Sequence, residues 1–153
     1  MLAVMILVGI MPASVNSYTD VSLYNSCYES ALTLQDLGII SGYEDGSFRP
    51  YDNITRAEFT KIVVCMMDKE KEAKTLNAPP AFNDVERGSW ASAYISYAVQ
   101  KNILSGYSDG TFGPNKNISF SEAVTILLRA ASYKEEDVGY FWPNNYIDAA
   151  ASM

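Results

Sequence analysis

The chain has 153 residues, 48% hydrophobic and 19% charged, enough for one compact domain or two small repeat units and too apolar for wholesale disorder. A formal net charge of −7, relieved by no Lys/Arg-rich run, argues against nucleic-acid and acidic-lipid partners. Histidine is absent, and the two cysteines are too few for a disulfide scaffold or a zinc site, so the commonest general base and metal-ligand sets are missing.

In chain order, Met1 to Ala13 is a nearly unbroken apolar run (MLAVMILVGIMPA). It is too short for a bilayer span, which takes about 20 residues. It has the length of a signal-peptide core, with the small residues Val15 and Ser17 ahead of a cleavage point. Residues 1–17 then form a leader lacking its positive flank, and the mature chain begins at Tyr18. A buried N-terminal strand or helix is the competing reading.

From Leu23 to Leu37, apolar residues at Leu23, Cys27, Ala31, Leu34 and Leu37 recur at helical spacing. Gly38 is a natural stop for that helix. Ile39-Ile40 is a short extended run, Asp45-Gly46 a turn, and Pro50 delays the next helix. Thr55-Arg-Ala-Glu58 is a capping box, threonine at the N-cap and glutamate three residues on. It opens a second helix through Phe59, Ile62, Val63 and Met66. Asp68 to Leu76 mixes both charges and reads as a solvated helix end leading into a linker over 69–81.

The same elements then recur. Tyr18-Thr-Asp-Val21 returns as Phe82-Asn-Asp-Val85, an offset of 82 − 18 = 64. Ser41-Gly-Tyr-Glu-Asp-Gly-Ser-Phe48 returns as Ser105-Gly-Tyr-Ser-Asp-Gly-Thr-Phe112, with Gly42, Asp45 and Gly46 matched by Gly106, Asp109 and Gly110. Thr55 and Glu58 are matched by Ser119 and Glu122. Copy one therefore occupies 18–68 and copy two 82–133, each one supersecondary unit. Trp90, Tyr94-Ile95 and Ala98 return as Trp142, Tyr146-Ile147 and Ala150 at an offset of 142 − 90 = 52. Residues 134–153 are thus a linker and the start of a third copy, truncated in its first helix.

Catalytic patterns are weak. No G-x-S-x-G elbow and no cysteine with a partner base is present. Glu44, Asp45 and Glu58 are explained by turn and cap chemistry better than as an acid/base set. The loops over 41–46 and 105–110 place glycine and tyrosine where a calcium loop needs carboxylates. Gly42-x-x-x-Gly46 lacks the Gly-Lys-Ser/Thr ending of a phosphate loop. No metal or cofactor is expected. A Cys27–Cys65 bridge and two free thiols both remain open.

Arg56 and the tryptophans stand out. Arg56 lies in the first turn of a helix, where backbone N–H groups already favour an anion, so a guanidinium fork there suits a carboxylate ligand. The alternative is an exposed arginine paired with Asp52 or Glu58. Trp90 and Trp142 each offer a broad face for a sugar, or serve as packing residues.

Phe82-Asn-Asp-Val85, Trp90-Ala91, Ile103-Leu-Ser-Gly-Tyr-Ser-Asp-Gly-Thr-Phe-Gly-Pro114 and Ile54-Thr-Arg-Ala-Glu58 together resemble the S-layer homology domain. The resemblance covers Tyr18 to Ser132 and resumes near the C-terminus. It implies a mainly α fold of tandem helix–loop–helix repeats, part of a pseudo-threefold bundle with short extended segments in the loops. It also implies a secreted, non-catalytic anchor at the bacterial cell wall or surface layer, binding a secondary cell-wall polysaccharide, often pyruvylated, in inter-repeat grooves. By the same resemblance Arg56 contacts the acidic ligand, with Trp90 and Trp142 as groove aromatics. Copy two has Phe120 in place of Arg56, so a single groove is expected, Arg56 on one wall and Trp90 on the other. Alternatives are a self-assembling surface-layer protein, associating through the incomplete third repeat, and the anchor of a larger exported enzyme.

Overall fold

The computed structural model describes residues 18–76, 78 and 80–153. The leader assigned to residues 1–17 lies outside them. The helices follow as α1 (Tyr28–Asp36), α2 (Arg56–Met66), α3 (Glu70–Thr75), α4 (Ser92–Gln100), α5 (Phe120–Ala130), α6 (Glu135–Val138) and α7 (Asn144–Ala151). The fold is mainly helical. Among the described residues the only ladder contact is an isolated antiparallel bridge between Thr55 and Asn117.

The principal helices start and stop by the same devices in both copies. Thr55 Oγ1 accepts the Glu58 N–H at 3.2 Å, and the Glu58 carboxylate accepts the Thr55 N–H at 2.8 Å. Ser119 and Glu122 repeat the exchange at 3.3 and 2.9 Å. Each box satisfies two backbone donors that a helix start leaves free. The stops are left-handed residues just past each helix: Gly38 at φ 69°, Asn102 at 57°, Asp68 at 56° and Ser132 at 72°. After α1 the Gly38 and Ile39 amides turn back to the carbonyls of Gln35 and Leu34, closing the free helix end.

α1 is shorter than its periodicity suggests, beginning at Tyr28 with Leu23 exposed. Asn25 Oδ1 accepts both the N–H and the hydroxyl of Ser22, at 2.7 and 2.9 Å. That local turn competes with the helix for the same backbone groups. The charged linker differs in the other direction. Within it α3 is a separate helix with Ala73 fully buried, packed on α2 and α4. Tyr94 Oη donates to Glu70 Oε1 at 2.8 Å, so this segment is docked rather than solvated on all sides.

The core binds copies to each other. α2 packs on α3, α4 and α5, while α5 packs on α7. The second helix of each copy thus lies against the first helix of the next. Val63 and Val64 of α2, Ile95, Tyr97 and Ala98 of α4, and Phe112 and Ile126 of copy two share one buried cluster. Each aliphatic side chain of that size contributes about 1.5–3 kcal/mol on burial. α1 instead sits over a small satellite cluster of Tyr18, Val21 and Ala31 and packs on no other described helix. Cys27 and Cys65 are both free thiols.

The starts of α2 and α5 meet directly. The Arg56 N–H donates to the Lys116 carbonyl at 2.8 Å, the Ala57 N–H to Pro114 at 3.1 Å, and the Ile118 N–H to Ile54 at 3.1 Å. This backbone seam carries the Arg56 side chain into copy two.

Candidate functional site

The frame of the site is the Gly-Tyr-x-Asp-Gly loop, held from below by an aspartate. The Asp84 carboxylate accepts the Phe112 and Gly113 amides at 2.9 and 2.7 Å, as Asp20 accepts those of Phe48 and Arg49 at 2.7 Å each. The two amides Phe48 and Arg49 hold the Asp20 carboxyl below its ordinary range. Partial desolvation pushes Asp84 upward, but its two amide bonds outweigh that and leave it lowered. Asp45 and Asp109 accept the N–H and hydroxyl of Ser47 and Thr111, tightening the turns at Gly46 (φ 78°) and Gly110 (φ 81°). Gly106 is required by close approach: a Cβ there would lie 2.7 Å from the Thr111 carbonyl and against the Phe82 ring. Gly42 faces Tyr18 and the Ser47 carbonyl in the same way.

Arg56 is buried, at 5% exposure. Its Nη1 donates to Glu122 Oε1 at 3.2 Å and its Nη2 to the Ser105 carbonyl at 2.7 Å. The guanidinium stands 4.9 Å from the Phe112 ring centre and 5.0 Å from that of Tyr107, within cation–π range. Its partner acid is therefore Glu122 in the other copy, neither Asp52 nor Glu58. Desolvation raises the Glu122 carboxyl, yet the Ser119 amide and hydroxyl, the Tyr107 hydroxyl and Arg56 overcome it and hold it below its ordinary value. The Arg56 Nε–H has no partner among the described residues.

Arg56 lines a cavity of about 340 Å³ together with Ser105, Tyr107, Thr125, Arg129 and Trp142. Trp142 is 56% exposed, and its Nε1–H is fixed on Thr125 Oγ1 at 3.0 Å. Arg129 Nε donates to Tyr146 Oη at 3.2 Å, and Arg129 Nη2 lies 3.5 Å from Glu135. Among the lining residues two guanidiniums face one carboxylate, Glu122, already engaged by Arg56. Arg129 is in turn paired with Glu135, so the groove sets two guanidiniums, each with an acid partner, beside an aromatic wall.

The expected pairing of Arg56 with Trp90 is corrected here: Arg56 shares its groove with Trp142. Trp90, 57% exposed, lines a separate cavity of about 430 Å³ in copy one with Tyr43, Glu58 and Lys61. The reason lies in the packing order, since each first helix docks on the preceding copy's second helix. Sequence spacing does not single out Thr125 or Arg129 for this site, and it marks Tyr107 only as part of the repeated loop. The tyrosine recurs at the repeat offset, whereas Arg129 stands where copy one has Cys65 (129 − 64 = 65) and carries no repeat signal.

These features define a tandem helical-repeat protein whose copies are stitched by an arginine and flanked by an aromatic groove. The S-layer homology domain model matches residues 17–60 and 81–124, and the chain belongs to the S-layer homology domain family. It is 33% identical over 120 residues to Middle cell wall protein of Brevibacillus brevis, covering 78% of this chain and 11% of that one. It is 34% identical over 101 residues to Cellulosome-anchoring protein of Acetivibrio thermocellus, covering 66% and 23%. With Surface-layer 125 kDa protein of Lysinibacillus sphaericus it shares 30% over 149 residues, 92% and 12%. The chain thus spans between a tenth and a quarter of the length of these relatives.

Proposed function

We propose that the chain is a non-catalytic anchoring module at the bacterial cell surface, and that the Arg56–Trp142 groove holds an anionic secondary cell-wall polysaccharide. The observation that carries this reading is the Nε–H of a buried arginine, unpartnered among the described residues, beside a half-exposed tryptophan lining the same cavity. A buried donor without a partner costs free energy that a bound acceptor recovers. A sugar carboxylate, such as that of a pyruvate ketal, supplies the acceptor and the negative charge, with Arg129 as a second cation. The indole face of Trp142 packs on the sugar ring. The names of the relatives, a cell-wall protein, a surface-layer protein and a cellulosome anchor, support the location. Their much greater length supports reading this stretch as the anchor portion of a longer exported protein.

Binding to purified wall polymer tests the reading. Arg56→Lys keeps a cation for Glu122 but removes the Nε–H, and Trp142→Ala removes the platform; each is expected to weaken binding about tenfold or more. Trp90→Ala is expected to leave it near the unaltered value. Loss through Trp90→Ala with retention in Trp142→Ala would overturn this assignment.

A further inference from the structure

The two tryptophans occupy matching places in the repeat and are almost equally exposed, Trp90 at 57% and Trp142 at 56%. Their ring nitrogens are treated differently. Trp142 Nε1–H donates to Thr125 Oγ1 at 3.0 Å, and the Thr125 hydroxyl in turn donates to the Ser121 carbonyl at 2.8 Å. The Thr125 proton is thereby committed to the backbone of α5, which fixes the side-chain rotamer and leaves an oxygen lone pair for the indole. Thr125 is buried, so water competes poorly for that lone pair. One turn further along α5, Arg129 Nε donates to Tyr146 Oη at 3.2 Å. The segment entering α7 is therefore fastened to α5 at two points, four residues apart on each side. At the repeat offsets these pairs correspond to Lys61 with Trp90 (125 − 64 = 61, 142 − 52 = 90) and to Cys65 with Tyr94. An ammonium has no lone pair to accept an indole N–H. The Trp90 indole, which lines one cavity with Lys61, accordingly makes no hydrogen bond among the described residues, and Tyr94 turns to Glu70 instead.

We infer that Thr125 is a positioning residue of the Arg56 groove, one that acts through Trp142 by setting the plane of its ring before any ligand arrives. The inference rests on the reading of that groove as the polymer site. A half-exposed indole left free about its side-chain torsions has to be immobilised when it packs on a sugar ring, which typically weakens binding about two- to tenfold. The Thr125 bond completes that ordering during folding. Tying the ring by its one polar atom also leaves its apolar surface, rather than its N–H, for the cavity it shares with Arg56. Trp142 is thereby the preorganised aromatic of the two, and Lys61 denies the same service to Trp90.

The test compares the unaltered chain with Thr125→Val, which keeps the shape and loses the acceptor, and with Thr125→Ser, which keeps the acceptor. Because the two indoles are equally exposed, a difference in the exchange of their N–H protons with water reports the hydrogen bond and not burial. In ¹H–¹⁵N spectra of the unaltered chain the Trp142 indole proton is expected to exchange about fivefold more slowly than that of Trp90. Thr125→Val is expected to bring the two rates together, and Thr125→Ser to keep them apart. Binding of a pyruvylated wall-polymer fragment is expected to weaken about two- to tenfold in Thr125→Val and to stay within about twofold of the unaltered value in Thr125→Ser. A valine variant that keeps the slow Trp142 proton, or that binds the fragment as tightly as the unaltered chain, overturns the inference. So does a serine variant that behaves like the valine one. If the unaltered chain binds no fragment, the polymer reading is what fails, and the exchange rates alone decide whether Thr125 holds the ring.

Discussion

Arg56 Nη1 lies 3.2 Å from Glu122 Oε1, which ties the start of one copy's second helix to the start of the next copy's. Both side chains are largely withdrawn from solvent, at 6% and 18% exposure. Arg56→Met leaves a partly buried carboxylate without its cation, and a broken pair of this kind costs about 3–5 kcal/mol. Adding Glu122→Gln removes the stranded charge and is expected to restore part of the loss. Urea unfolding of the single and double variants measures both.

Two glycines separate steric from conformational cost. Gly106 has no left-handed φ but lies against Thr111 and Phe82, so Gly106→Ala acts by overpacking, at about 1–3 kcal/mol. Gly38 has φ 69° and open space around its Cβ position, so Gly38→Ala costs about 1 kcal/mol through backbone strain alone. Thermal unfolding is expected to rank the Gly106 variant lower. Its tryptophan emission should also change, because the clash moves the loop that lines the Trp142 groove.

Acid weakens the fold through the aspartate clamps. Asp20 and Asp84 titrate below their ordinary 3.8 in the folded chain, and Glu122 below 4.5. A carboxyl lowered by folding contributes stability above its unfolded pKa and loses it as pH falls through the folded one. Stability should thus be level above about pH 5 and decline below pH 4.5, where the unfolded chain begins to bind more protons. Asp20→Asn with Asp84→Asn is expected to flatten that decline in urea midpoints taken from pH 3 to pH 6.

The free thiols give a chemical check. Native chain without reductant should take up two equivalents of iodoacetamide, matching Cys27 and Cys65. Burial pushes the Cys65 thiol up, so it should react more slowly than an ordinary cysteine at the same pH. Intact mass after timed alkylation reads both.

Much of the local structure is legible from residue type and spacing. Thr55–Glu58 and Ser119–Glu122 mark the starts of α2 and α5, because the capping exchange depends on four adjacent residues. Gly38 and the Asp-Gly turns announce chain reversal for equally local reasons. The partnerships are harder to read. Nothing near Arg56 points to an acid 66 residues away, although the offset of 64 makes Glu122 the image of Glu58. Trp142 joins Arg56 because α7 docks on α5, a choice made by the buried faces of whole helices. The Ser22–Asn25 turn shows the reverse case, a two-residue polar contact that trims α1 against its hydrophobic pattern.

The most direct measurement of the central claim uses the two tryptophans as reporters. A ¹H–¹⁵N spectrum of the chain resolves two indole N–H signals, from Trp90 and Trp142, and the Nε–H of Arg56. Titration with a pyruvylated wall-polymer fragment is expected to shift the Trp142 and Arg56 signals together along one saturating curve, leaving Trp90 in place. The fragment stripped of its ketal acid should shift neither. Movement of Trp90 alone, or equal shifts with and without the acid, would contradict an anion site built on Arg56.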